Sequence, residues 1–332
     1  MKTIVQLSLC AGLFALGTSA AHAQANCDRA CLGTVLDQYL AAVVKHDPAA
    51  APLAYGVRQT ENAINVAPGN GVWKTLTALG DVQRKYFDPV SGQAAYYGSI
   101  KEGNDDALVT ARIKVENRKI TEAEWYIARP NDPGLSGERK PGGPPANLMN
   151  VEYLKTNGPP IRTVPAAERL DRDSLIRVVD SYFDAINSHD RSAALVHAGC
   201  GRAENGTPAP GGAFLPPIAT SPAAANNAQP NADPAARDCL AGLENFNLSM
   251  VAARRIPLAD VEAQAVLGFA VFIRKPGSPT PRNVFSEWFF VDHGKIRTIY
   301  TAMFYPKPTL AVPNWYPYEG NWPLAPGIVP AP

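Results

Sequence analysis

The feature that most limits how this chain can fold is that it contains one stretch twice. LDQYLAAVVKHDPAAAPLA (36–54) lies over VDSYFDAINSHDRSAALVH (179–197), so that Tyr39 meets Tyr182, Ala42 meets Ala185, and His46-Asp47 meets His189-Asp190, 143 positions on. Glu61-Asn62 meets Glu204-Asn205 at the same spacing. The segments YGVRQTENA (55–63) and HAGCGRAENG (197–206) therefore each carry an Arg a few residues before a Glu-Asn pair. Towards the end of each copy VENRKI (115–120) meets VDHGKI (291–296), now 176 positions apart, so the second copy holds 33 extra residues. Residues 206–237 are their place: they are rich in Pro, Ala, Gly and Asn, lack periodicity, and are bracketed by Cys200 and Cys239. That composition predicts a surface loop insertion. A repeat of this length predicts two copies of one domain rather than one large core.

Both copies predict the same order of elements. Leu36, Tyr39, Leu40, Val43 and Val44 in the first, and Leu175, Val178, Val179, Tyr182 and Ile186 in the second, make an apolar stripe at helical spacing. His-Asp marks the helix end, where the His charge would suit a helix C-terminus. After the polar cluster come strands at 93–100, 106–116 and 119–127 in the first copy. In the second they are 249–257, 261–273, 284–291 and 295–304. Asn117-Arg118 and His293-Gly294 occupy the last turns. A helix followed by antiparallel strands is an α+β domain, with helices packed on one face of a strongly curved sheet. The chain divides into a first domain at 27–129, a Pro/Gly-rich linker at 130–168, a second domain at 169–305 and a tail at 306–332. The tail is Pro-rich yet holds Trp315, Tyr316, Tyr318 and Trp322, and is expected to lie extended over a domain surface.

The start of the chain, MKTIVQLSLCAGLFALGTSAAHAQA, has a positive residue, a short apolar run and Ala21-His22-Ala23. This predicts a signal peptide over 1–23 and an exported protein, periplasmic or extracellular. Four cysteines then remain, which allow three pairings; Cys27–Cys31 and Cys200–Cys239 are favoured, a clamp at a helix start and a tie across the long loop. The 31 basic and 30 acidic residues leave no basic excess for nucleic acid. No later run predicts a membrane span. The His residues do not fall at metal-ligand spacing, and HExxH, GxSxG and a Gly-rich phosphate loop are absent from the sequence.

The pattern Tyr-x-x-Ala-x-x-x-His-Asp on a helix, then a short turn, a polar segment and a curved meander, resembles the nuclear-transport-factor-two-like cone fold. That superfamily includes the ketosteroid isomerases, scytalone dehydratase and the SnoaL-like polyketide cyclases. TENA (60–63) and ARRIPLADVEAQAVLGFAVF (253–272) are similar to a group of secreted two-cone proteins. The resemblance implies an apolar cone that admits one small or medium organic molecule, and acid–base chemistry without a cofactor. No catalytic motif of the superfamily carries over residue by residue.

Candidate residues come from the polar clusters. In the second copy His197, Glu204 and Arg255 are the catalytic candidates, and Arg202, Asn205, Glu262 and Trp288 the substrate-binding ones. His197 can move a proton near neutral pH. Glu204 is a base if burial raises its pKa, and Arg202 or Asn205 can hold an oxyanion. The plainer alternative is an Arg202–Glu204 ion pair beside an Asn205-Gly206 turn. Arg254 and Arg255 point to opposite faces of a strand, and an inward Arg255 would find Glu262. In the first copy the matching set is Tyr55, Arg58, Glu61, Asn62, Trp73 and Arg112, of which Tyr55, Arg58, Glu61 and Asn62 are the substrate-binding candidates. The expected activity is that of a cofactor-independent lyase, dehydratase or isomerase on a small aromatic or polyketide-like molecule, a lignin-derived dimer among them. The alternative is a non-catalytic carrier or interaction protein, and a homodimer is an admissible assembly.

Overall fold

The structure is a computed structural model that describes residues 27–208, 239–280 and 282–307. The expected signal peptide, nearly all of the loop insertion and the aromatic tail lie outside the described residues. Helix α1 (Arg29–Val44) opens the first copy, its first turn capped by the Asp28 side chain, which accepts from the Cys31 amide. Then come β1 (Leu53–Glu61), β2 (Ile64–Asn65), α2 (Val72–Thr75), β3 (Ala78–Asp88), β4 (Gln93–Glu102), β5 (Asp105–Glu116) and β6 (Lys119–Ala128). The linker holds α3 (Val151–Asn157). The second copy repeats the order with α4 (Arg172–Ser188), β7 (Val196–Glu204), β8 (Thr207–Pro208), β9 (Met250–Asp260), β10 (Ala265–Ile273), β11 (Arg282–Asp292) and β12 (Lys295–Phe304). The sheets run β2-β1-β6-β5-β4-β3 and β8-β7-β12-β11-β10-β9. The chain is thus two tandem α+β domains. Both expected disulfides, Cys27–Cys31 and Cys200–Cys239, are present, and they suit an oxidising compartment.

Two expectations need correction. The polar segments, to which no strand was assigned, contain strands β1 and β7, which pair in parallel with β6 and β12. The sheets are therefore mixed rather than purely antiparallel. Strand β3 was not expected, and the strand expected at 261–273 begins at Ala265, after a turn. The repeated His-Asp marks the helix end, as expected, and its backbone makes the stop. His46 and His189 both adopt φ 57°, a left-handed conformation that ends the helix. The His46 ring bonds the Trp73 carbonyl, and His189 Nδ1 lies 2.9 Å from the Leu243 carbonyl. Asp47 and Asp190 then cap the short 3-10 turns that follow.

Each sheet has one face against its own helix. Leu36, Tyr39, Leu40 and Val43 of α1 pack with Val109, Ile113 and Trp125, while Val179, Tyr182, Phe183 and Ile186 of α4 pack with Phe285, Phe289 and Ile299. The packed layer between each helix and its sheet is the interior of the cone. The opposite faces of the two sheets pack on each other. There Tyr126 stacks on Phe269 with ring centres 4.7 Å apart, and Tyr86 meets Trp288 at 4.6 Å. Double-sided burial explains why β10 (AVLGFAVFI) reads as an almost unbroken apolar run.

The interface between the copies is reciprocal. Arg29 holds Asp260 through two bonds of 2.8 and 2.9 Å, and its repeat counterpart Arg172 holds Asp88 at 2.8 Å. Asp260 also accepts from the Phe87 amide, and Asp88 from the Ala259 amide. Thr110 and its counterpart Ser286 bond to one another at 2.8 Å. Such swapped contacts are the signature of an approximate two-fold axis. Near it, Glu124 is fully buried between Arg112 at 2.7 Å and Arg255 of the other copy. Burial opposes its ionisation, but Arg255 and Arg112 outweigh that and hold the carboxyl below the usual range. Glu124→Ala leaves two buried guanidinia without their shared carboxylate. It is expected to cost about 3–5 kcal/mol in urea unfolding; a loss below about 1 kcal/mol would contradict the clamp.

Candidate functional site

The duplicated Glu-Asn pair turns out to be a hairpin device. Asn62-Ala63 and Asn205-Gly206 all have positive φ and form the two-residue turns between β1 and β2 and between β7 and β8. Each Asn side chain then clamps the neighbouring strand. Asn62 accepts from the Ile127 amide at 2.7 Å and donates to the Ile127 carbonyl at 3.2 Å. Asn205 does the same to Met303, at 2.7 and 3.3 Å, and donates to Asn147 as well. Asn205 and Asn62 thus hold strands together.

The other candidates scatter. Tyr55 is fully exposed. Arg58 pairs with Glu122 at 3.1 Å. Glu61 accepts from the Val72 amide at 2.7 Å and from Arg129 at 2.9 Å. His197 stands where the pairing of β7 with β12 slips, its Nε2 2.8 Å from the Asp292 carbonyl, and no hydrogen bond joins it to Glu204. Arg255 reaches Glu124 across the domain interface rather than Glu262, because its side chain is on the outer face of the sheet. Glu262 lies instead 3.5 Å from Arg29. Trp288 faces the first copy and donates to Thr110 at 3.1 Å.

Two of the candidates do point into a cone. Arg202 and Glu204 alternate with Ala203 on β7, and they are on the side of Cys200, which belongs to the second core. They form an ion pair at 2.7 Å, and Arg202 also donates to the Tyr182 hydroxyl at 3.0 Å. On the same interior face lies Glu287 of β11, between Phe285 and Phe289 and opposite Thr301 of β12. Glu287 is fully buried, and neither carboxylate oxygen has a hydrogen-bond partner. Burial pushes its pKa up to about 8, with Arg202 opposing and Glu204 adding to the rise. The Thr301 hydroxyl beside it is buried and unpartnered too.

The first cone shows what this position looks like when it is closed. The strand registers make Gln59 the counterpart of Arg202, Ala111 that of Glu287 and Trp125 that of Thr301. Gln59 Oε1 accepts from the Tyr39 hydroxyl at 3.0 Å and from the Trp73 indole at 2.7 Å, and the Trp125 indole donates to Tyr39 at 2.8 Å. That set is neutral and knitted together. The second cone replaces it with a carboxyl group, a guanidinium and a hydroxyl. Among the described residues no group of three His, Cys, Asp or Glu is placed to hold a metal ion, and no helix is long and apolar enough to cross a membrane.

Sequence reasoning missed Glu287 because it sits inside VFSEWFFV, which reads as a core strand. The signal was there: the same strand of the first copy carries Ala111. If the Asn clamps are structural, Asn62→Ala and Asn205→Ala should each lower stability by about 1–3 kcal/mol in chemical denaturation. A substitution at Asn205 that left stability unchanged would return that residue to the ligand-binding candidates.

A family model described as a domain of unknown function (DUF8021) matches residues 168–303, which span α4 and run to the last residue but one of β12. No curated protein matches the chain.

Proposed function

We propose that the second cone is the acid–base site of a cofactor-independent enzyme, a lyase, dehydratase or isomerase, that acts on a small aromatic or polyketide-like molecule. Glu287 is its proton carrier, with Arg202 and Thr301 beside it. The observation that carries this reading is the fully buried carboxyl group of Glu287 with neither oxygen hydrogen-bonded. Such a group stays protonated at neutral pH and can give its proton to a bound substrate, then take one back from a C–H or O–H bond. Charge developing on a substrate oxygen would be met by the Arg202 guanidinium, whose Nε has no partner. The first cone, filled by Tyr39, Trp73 and Trp125 around Gln59, fits the non-catalytic role of a scaffold. We also propose that the chain is exported, on the two disulfides and the leader-like start of the sequence.

The test is a mass-spectrometric screen of aromatic dimers, hydroxy-ketones and polyketide-like phenols with wild type and Glu287→Gln. Turnover that falls by roughly 100-fold or more in the folded variant supports the reading. Turnover that survives the substitution sinks it.

A pH prediction follows from the same group. The folded pKa is raised from 4.5 to about 8, so the folded state holds a proton that the unfolded state has released. Stability from Glu287 is full below about pH 4.5 and is lost as the pH rises through about 8. The slope is at most about 1.4 kcal/mol per pH unit. Glu287→Gln, which mimics the protonated form, should flatten the fall measured by denaturant titration between those limits.

A further inference from the structure

The second cone holds a second cation with no carboxylate of its own. Arg274 continues β10 two residues beyond Phe272, so both side chains fall on the cone face of the sheet, while Ile273 between them packs at the interface between the copies. Arg274 is 9% exposed. Its Nη2 donates to Asn283 at 3.0 Å, its guanidinium lies 5.6 Å from the Phe246 ring centre, and its Nε has no partner. Among the described residues it makes no ion pair. The carboxylate whose charge acts on it, Glu204, is paired with Arg202.

The groups around Arg274 are underused in the same way. Asn283 spends its oxygen on Arg274 and turns its amide nitrogen to the Met303 sulfur at 3.9 Å. The Tyr305 hydroxyl likewise meets only that sulfur, at 3.4 Å. A thioether is a weak acceptor, so two buried donors stand beside an unneutralised guanidinium. Phe246, Phe272 and Phe285 pack in sequence next to them, with ring centres 5.5 and 4.3 Å apart. With Glu287 protonated, the interior carries Arg202 and Arg274 against Glu204 alone, an excess of one positive charge. Buried charge without a counter-charge is costly. A planar monoanion would neutralise it and accept from all three donors at once.

We infer that Arg274, Asn283 and Tyr305 form a carboxylate subsite at the β10–β11 hairpin end of the second cone, and that the cone's ligand is a small aromatic acid. This rests on the reading of the second cone as a ligand site. Glu204 links the subsite to Glu287, since its charge acts on both Arg274 and Glu287.

The test uses the full oxidised chain at neutral pH, with benzoate and its uncharged analogue benzamide as probes in calorimetry. Wild type should bind benzoate roughly tenfold or more tightly than benzamide, as a charge-assisted contact requires. Arg274→Met should abolish that preference and leave benzamide affinity unchanged, and Arg274→Lys should restore most of it. If Arg274→Met does not fold, the Lys variant and Tyr305→Phe, which should weaken benzoate alone, carry the test. Equal binding of the two probes by wild type, no binding of benzoate, or a preference that survives the loss of Arg274 overturns the subsite. The acid–base reading fails separately: Glu287→Gln should keep the benzoate preference, because only turnover reports on Glu287.

Discussion

Burial of two sheet faces against each other is the constraint on which the rest of the structure depends. A β-sheet with helices on one side leaves the other side to water unless something covers it. Here the second copy covers the first, and the contact is fixed by charges as well as by rings. Arg29 and Arg172 reach across in opposite directions to Asp260 and Asp88, and each Asp also takes a backbone amide of the other domain. Those carboxylates are nearly unexposed, and although each also accepts two amides of its own copy, its ion-pair partner comes only from the other. The Arg112–Glu124–Arg255 group adds a third buried set at the axis. Through these contacts the two copies act as a covalently linked pseudo-dimer.

One face of each sheet is committed to the partner copy, and on the other faces the two cones have diverged. Gln59, Ala111 and Trp125 in the first become Arg202, Glu287 and Thr301 in the second. The first set is uncharged and joined by hydrogen bonds through Gln59 Oε1 and the Tyr39 hydroxyl, with the Gln59 amide nitrogen left over. The second leaves Glu287, Thr301 and the Nε atoms of Arg202 and Arg274 unpartnered in the interior. Gly268 belongs to the same divergence. It stands where β4 has Tyr96, and a Cβ there would lie 3.0 Å from the Phe183 ring, so the helix can lean onto the sheet.

Much of this was legible in the sequence, and the failures have physical causes. The repeat, the helix stripes, both disulfides and the last hairpin turns could be read because they depend on local chemistry: apolar spacing, Cys placement, and Asn or Gly at positive φ. Strands β1 and β7 were missed because Arg58, Gln59, Thr60 and Glu61 look like a turn. Their charges are instead spread over two faces of an edge-side parallel strand, each with a partner from another element. Arg255 was assigned to the wrong side because a strand alternates but does not say which face is the cone. Its true partner, Glu124, lies 131 residues away in the other copy. His197 attracted attention as the residue that titrates near neutral pH, yet its ring is used on a backbone carbonyl. Glu287 escaped because a single carboxylate between Ser286 and Trp288 looks like a break in a core strand. Aligning the copies by strand register rather than by motif brings it out.

The measurement that tests the central claim most directly is a titration of the Glu287 carboxyl in the folded chain, followed by its side-chain carbon signal in NMR and assigned with Glu287→Gln. The account predicts that the group stays protonated through neutral pH and titrates at about 8. A carboxyl that is already ionised at pH 5 would contradict it. It would show that water or a counter-charge reaches Glu287, and that the second cone holds no poised acid.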